Sequence, residues 1–262
     1  MNTHSSDLPK GKSKVKSLLW AILFVLIFLY SANLSEVKMG RLFANMGQMT
    51  VILKQMALPD WSYISIVIQP LLETIQMAII GTTFGALVAL PFSLLAARNI
   101  VKNPIVNSVL RFILNIVRTV PDLMLAAVFV AIVGIGPVAG VITLSVFSFG
   151  MISKLFYEAI ETIDEGPVEA LTASGANKIQ IIRYAIFPQV SSHFFSYFLY
   201  CFEINVRAST VLGYIGAGGI GIYLQRSLSQ FRYDRTAVIV IVIFLVVLVI
   251  DAISNKLRER LL

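Results

Sequence analysis

One cysteine, Cys201, and two histidines, His4 and His193, are all that 262 residues offer of thiol and imidazole ligands. A lone thiol excludes an internal disulfide and any multi-cysteine metal site, and histidines this far apart make no paired-histidine metal motif. Charge is scarce as well, at 13% of residues, whereas apolar residues make up 57% and mean hydropathy is +0.83. A soluble chain of this length does not hide so much apolar surface, so the composition implies a polytopic membrane protein. The two-residue alternation of an outer-membrane barrel is missing, and the long, unbroken apolar runs imply α-helices. No G-x-x-x-x-G-K-[ST], no G-x-S-x-G and no carboxylate pair at metal spacing occurs. Neither nucleotide hydrolysis nor intramembrane catalysis is expected, and no cofactor or metal is expected in this chain.

The apolar runs predict an all-α fold with about six transmembrane helices. Lys10, Lys12, Lys14 and Lys16 precede the first run, Ser17 to about Asn33. It is long for a signal peptide and lacks a small-x-small cleavage site, so it reads as an anchored transmembrane helix. An amphipathic stretch, Met39–Met56, leads to Pro59, Trp61 and Tyr63, aromatic residues suited to the membrane–water boundary. Further spans are expected over Pro70–Ala97, Ile105–Val133 with Pro121 inside it, Val138–Ile160, Val190–Tyr214 and Thr236–Ile253. Residues 1–69 then hold the first helix and its loop, and residues 70–262 a five-helix core. Gly81 and Gly85 have the four-residue spacing that lets helices pack closely in lipid.

An even number of spans puts both termini on one side. With that side cytoplasmic, most Lys and Arg lie inside: the N-terminal lysines, Arg98 to Arg118, Lys154 to Arg183, and Lys256 to Arg260. A smaller set lies outside, namely Lys38, Arg41, Lys54, Arg226, Arg232 and Arg235. The bias agrees with the positive-inside rule and explains the net charge of +7 without nucleic acid.

Between the fourth and fifth runs lies a polar, turn-punctuated segment, Asp164–Pro188, on the cytoplasmic side. Gly166-Pro167 breaks the preceding helix, and Pro167 suits the first turn of a new one. Gly175 is expected to end that helix after two to three turns, and Asn177 to cap another running toward Pro188. A short helix held crosswise between two spans makes a docking surface. Two polar constellations lie in the spans themselves. Glu203 and Arg207 share one helical face and can pair, with Asn205, Ser209 and Thr210 nearby. They read either as an ion pair locking helices together or as a lining for an anion's path. Arg118 and Asp122 repeat the spacing beside Pro121. They read either as part of a helix that first runs along the membrane surface or as groups near a gate. Gly216, Gly218, Gly219 and Gly221 match G-x-G-x-x-G formally, but a membrane helix precedes them. A tight re-entry turn on the external side is expected there, not a dinucleotide site.

Glu169-Ala170, Gly175 and Pro188 keep the spacing of the EAA loop and so resemble ABC importer permeases. Leu171, Ala185 and Phe187 depart from that pattern. Gly134-Ile135-Gly136-Pro137, Lys154–Glu161 and Phe202–Gly221 are similar to the corresponding stretches of phosphonate-type ABC permeases, a likeness extending from about Thr74 to the end of the chain. The resemblance implies a type I permease core in the inner membrane of a prokaryote. Glu169, Ala170, Ala173, Gly175 and Pro188 would engage an ATPase. The implied assembly has two permeases, two ATPases that bind the ATP and Mg, and an external protein delivering phosphonate or a related phosphorus oxyanion. Methionine-type permeases share the general fold and the glycine-rich turn. A stand-alone channel or ion-coupled carrier would need no docking loop.

Overall fold

A computed structural model describes residues 14–34, 40 and 45–261. The expectations placed on His4, Lys10, Lys12, Lys38 and Arg41 lie outside the described residues, as does part of the stretch 39–56. The chain divides into two units, Met1–Leu53 and Lys54–Leu262.

In the first unit, helix α1 runs over Lys14–Leu34 and exposes nearly all its apolar side chains. A second helix, α2, covers Met46–Met56, running across the boundary between the units at Leu53, and buries nothing.

Every regular element described in the second unit is helical. A 3₁₀ turn, Trp61–Tyr63, runs directly into α3, Ile64–Ala96. The span therefore begins ahead of Pro70, where it was expected to start. Tyr63 and Val67 pack against Ile220 and Ile239, which fixes these extra turns. Gly81 and Gly85 hold α3 against α6, Pro137–Glu161: a Cβ on Gly85 would stand 2.5 Å from both the Ser145 carbonyl oxygen and the Ser148 Cβ.

The run Ile105–Val133 is not one helix. It forms α4, Pro104–Thr119, and α5, Asp122–Val133, bent by 86° at Val120–Pro121. Proline has no N–H for the helical ladder and pushes the residue before it into an extended conformation, which Val120 adopts. The Asn103 carboxamide caps α4 by accepting from the N–H groups of Ile105 and Val106. Helix α4 turns one apolar flank outward (Ile105, Val109, Phe112, Ile113, Ile116) while Leu114 and Asn107 are buried. That amphipathic pattern fits the surface-lying alternative.

After α6 come α7, Gly166–Ala173, and α8, Lys178–Ile181, then a π-helical turn, Ile182–Ile186, leading into α9, Phe187–Leu212. The wide turn lies just ahead of Pro188, whose ring an ordinary α-turn would press onto the carbonyl of Tyr184. A ten-residue helix, α10, Ile220–Ser229, and the long α11, Tyr233–Leu261, complete the fold.

Among the described residues, four helices are long and apolar enough to cross a membrane, and the bent pair taken as one span raises this to five. Helix α9 has the length at 26 residues, but His193, Glu203, Asn205, Arg207 and its serines dilute its apolar character.

Candidate functional site

The segment between α6 and α9 follows its local signals. Pro167 occupies the first turn of α7, and Glu169 lies in that turn where an acidic group favours the helix N-terminus. At the other end, the Gly175 N–H donates to the Thr172 carbonyl and the Ala176 N–H to the Leu171 carbonyl (both 3.0 Å). This closure puts Gly175 at φ +79°, which glycine adopts without the Cβ penalty. Asn177 and Gln180 form a reciprocal capping box that starts α8. Val168 and Leu171 are half-buried, while Glu169, Ala170, Thr172, Ala173 and Gly175 are exposed. The outward face is thus small and smooth, and no atom lies within 4 Å of where a Gly175 Cβ would stand. Beside it opens a cleft of about 650 Å³ with an apolar floor (Ile100, Ile163, Val168, Ile181) and a charged rim (Lys102, Glu165, Glu169, Lys178).

The constellation on α9 divides between two environments. Asn205, fully buried, donates from its side-chain nitrogen to Thr82 Oγ1 (2.7 Å) on α3 and Ser148 Oγ (2.6 Å) on α6. Ser209 is buried and bonds locally to the Val206 carbonyl, and Thr210 to that of Arg207. Glu203 and Arg207 pair as expected, but on the side facing α11. There Arg207 also meets Asp251 (3.5 Å), and the second carboxylate oxygen of Glu203 accepts from Arg258 (2.7 Å). Arg258 is expected from sequence only as one of the cytoplasmic charges and Asp251 carries no expectation, although their seven-residue spacing puts them on one helical face.

This cluster of two acids and two arginines has no formal net charge. Asp251 follows the apolar run 237–250 and stands roughly 27 Å along α11 at ~1.5 Å per residue. The ion pair therefore sits toward one end of the apolar zone, deeper along α11 than its middle. Glu203 holds two arginines with only 12% of its side chain exposed, whereas Arg207 is 46% exposed. Glu203→Ala is accordingly expected to cost about 3 kcal/mol, because it takes from both arginines the shielded carboxylate they share and leaves Arg258 without a carboxylate partner among the described residues. Arg207→Gln should cost less than about 1 kcal/mol, since Arg258 still holds the carboxylate. Thermal unfolding of the detergent-solubilised variants checks the ranking.

Arg118 and Asp122 are separated by the bend, so the expected i, i+4 face does not exist. Among the described residues no ion pair joins them, and the Asp122 carboxylate accepts instead from the Leu123 N–H. Arg118 is exposed, with its Cγ 3.0 Å from where a Gly150 Cβ would stand.

The glycine turn is recessed within the bundle. Asp60 and Asp234 meet at one end of the bundle, where the Asp60 N–H donates to the Asp234 carbonyl. The Ile220 N–H, at the base of the turn, donates to Thr74 Oγ1, roughly 15 Å along α3 from its start. The turn is recessed because α9 stops at Leu212 and the short α10 climbs back toward the end of the bundle. At that depth the α5–α6 turn joins it, through the Gly136 N–H to the Gly216 carbonyl (2.9 Å).

Residues 89–262 match the family model described as the binding-protein-dependent transport system inner membrane component. The chain is 44% identical over 202 residues to the phosphite transport system permease protein PtxC of Stutzerimonas stutzeri, covering 77% of this chain and 74% of that one. It is 40% identical to the phosphate-import permease protein PhnE of Mycolicibacterium smegmatis over 72% of this chain and 36% of the relative. Permeases named for D-methionine transport match more distantly. Among solved structures, the inward-facing MetNI methionine ABC transporter superposes with a TM-score of 0.65 at 23% identity, covering 77% of this chain and 98% of the other.

Proposed function

Because the chain belongs to the family of binding-protein-dependent inner-membrane transport components, as the permease subunit of an ABC importer, we propose that it passes a phosphorus oxyanion of the phosphonate or phosphite class across the membrane. The observation that carries the substrate class is the likeness to permeases named for phosphite, phosphonate and phosphate, which exceeds that to permeases named for methionine. The permease works in a multi-pass inner-membrane assembly with an ATPase and a substrate-binding protein.

In this reading two copies enclose the pathway, and two ATPases seat on the α7 segments from the cytoplasm. Both termini face the cytoplasm too. ATP and Mg are held by the ATPases and no cofactor by this chain. The smooth face of Ala170, Ala173 and Gly175 supports close seating, with Glu169 and Pro188 shaping the two ends of the loop. Closure of the nucleotide-bound ATPases pushes on α7, and the spans joined to it turn the pathway toward the loaded binding protein. This requires two permease states that differ in affinity for the nucleotide-bound partner. The paired, formally neutral state of Arg207 supports a lock between α9 and α11 in preference to an anion lining. Arg118, Pro121 and Asp122 then matter as the elbow that sets α5 against α4.

Uptake by liposomes containing the permease with its ATPase, supplied with the binding protein, tests the substrate. ATP-dependent accumulation of phosphite, a phosphonate or phosphate is expected, with methionine excluded. Methionine uptake without any phosphorus oxyanion would overturn the proposal.

A further inference from the structure

We propose that Arg111 and Gln189 are positioning residues that clamp the docking segment into a lever, so that force on α7 reaches α4 and the bend at Pro121. This rests on the reading that the ATPase seats on α7.

The segment departs from the bundle at Thr162 and returns at Phe187, and both roots are tied by side chains. At the return, Gln189 reaches across the neck: its Oε1 accepts from the Asp164 N–H (3.0 Å), and its Nε2 donates to the Asp164 carbonyl (3.3 Å) and the Ala185 carbonyl (2.8 Å). The two chain strands leading to α7 therefore move as one body. A free neck would absorb a push in its own backbone torsions.

At the departure, the Glu161 carboxylate accepts from the Arg111 guanidinium and from the Arg98 N–H (2.8 Å). Arg111 also donates from Nε and Nη2 to the Ala96 carbonyl at the end of α3 (3.0 and 2.9 Å), and its Cζ lies 4.4 Å from the centroid of the Tyr157 ring. The Asn99 side chain adds a bond to the Ile160 carbonyl (2.6 Å). One side chain from α4 thus ties together the ends of α3 and α6, three residues before the neck. The Arg111–Glu161 pair is largely shielded, at 17% and 24% side-chain exposure, so water competes weakly for it. Helix α4 meets α5 at 86° across Pro121, and this geometry turns a shift of α4 into a tilt of α5.

Arg111 and Gln189 stay clear of the outward face of α7, so docking and transmission separate experimentally. Arg111→Gln and Gln189→Ala are prepared with the partner ATPase and binding protein in liposomes, and ATP hydrolysed per phosphite imported is measured. Both variants are expected to retain the ATPase in normal yield. Their ATP-to-substrate ratio should rise about fivefold or more, the lower end of what a lost coupling between two sites produces. Arg111→Lys, which keeps the cation, should recover much of the wild-type ratio. A purely structural role predicts that hydrolysis and uptake fall together at an unchanged ratio, and that result, or no change at all, overturns the clamp. Failure of the wild-type permease to retain any ATPase would instead sink the docking reading, and the clamp with it.

Discussion

Gly175→Asp should abolish recovery of the ATPase with the solubilised permease, and ATP-driven uptake with it. The reason is geometric. Gly175 closes α7 at φ +79°, a conformation that aspartate reaches at a cost of about 1 kcal/mol. No atom of the chain lies within 4 Å of the new Cβ, and the two closing hydrogen bonds use backbone groups that remain. The permease itself should therefore fold and keep its melting temperature within a few degrees. The side chain enters open space at the end of α7, close in sequence to the exposed Ala170 and Ala173, so on the docking reading it occupies space a seated partner needs and brings an unpaired charge into the contact. Losing close packing and desolvating a carboxylate together cost about 3 kcal/mol or more, roughly a hundredfold in affinity. Gly175→Asn keeps the shape without the charge and tolerates the same backbone, so it separates the two contributions. Ala173→Asp, in the body of α7, should reproduce the loss with no unusual backbone at all. Normal ATPase recovery with both Gly175→Asp and Ala173→Asp would show that the partner seats elsewhere.

Local chemistry made this segment legible from sequence. Pro167, Gly175 and Asn177 each specify a backbone state through their own covalent structure, and the helix between them has little choice of boundaries. The same holds for the all-helical fold, which follows from apolar run length. Tertiary contacts decided the rest. Pro121 was visible, but a proline inside an apolar run permits a kink as readily as a corner. The 86° bend follows only once Leu114 and Asn107 of α4 are buried against the ends of α3 and α6. The pair Glu203–Arg207 was readable because both partners share one helix. Its continuation to Asp251 and Arg258 joins residues some fifty positions apart, and Asn205 finds Thr82 across 123 positions. Such pairings arise from the crossing of helices, which a one-dimensional period does not contain.

Depth along the bundle was the least visible quantity. A glycine-rich stretch after a long apolar run marks a tight re-entry turn but not how far it reaches into the bundle, because loops normally lie where water satisfies their backbone. Here side-chain and backbone partners take that role inside the bundle: Thr74 accepts from the Ile220 N–H, and Gly216 accepts from the Gly136 N–H. Irregular backbone at such depth is tolerated when protein surrounds it. Ala217 and Ile220 are fully buried there, which matches that condition.

The recessed turn also yields the largest stability effect expected of a single methyl group. Gly221→Ala should lower stability by about 3 kcal/mol or more, leaving little folded permease in the membrane. Gly221 has ordinary helical backbone geometry, so backbone strain in the residue itself is not the cause. Its Cβ would stand 2.1 Å from the Thr210 carbonyl oxygen and 2.8 Å from the Gly213 Cα. Both are backbone atoms, one in the last turn of α9 and one in the 3₁₀ turn that follows it, so no rotamer change relieves the overlap. Relief requires α10 to move away from α9, and α10 is held on its far side by Ile220 against Tyr63, Val67 and Ile239. Gly134→Ala is the matched comparison. It imposes φ +90° and ψ +171°, a region that glycine alone enters readily, but meets nothing within 4 Å, so it should cost about 1–3 kcal/mol from backbone strain alone. Melting of the two variants in detergent, with the yield of monodisperse protein, measures the difference directly. If Gly221→Ala melted within about 2 °C of the parent, the close approach of α9 and α10 at this depth would be wrong. The recessed path of the chain through Gly213–Gly219 would then have to be redrawn.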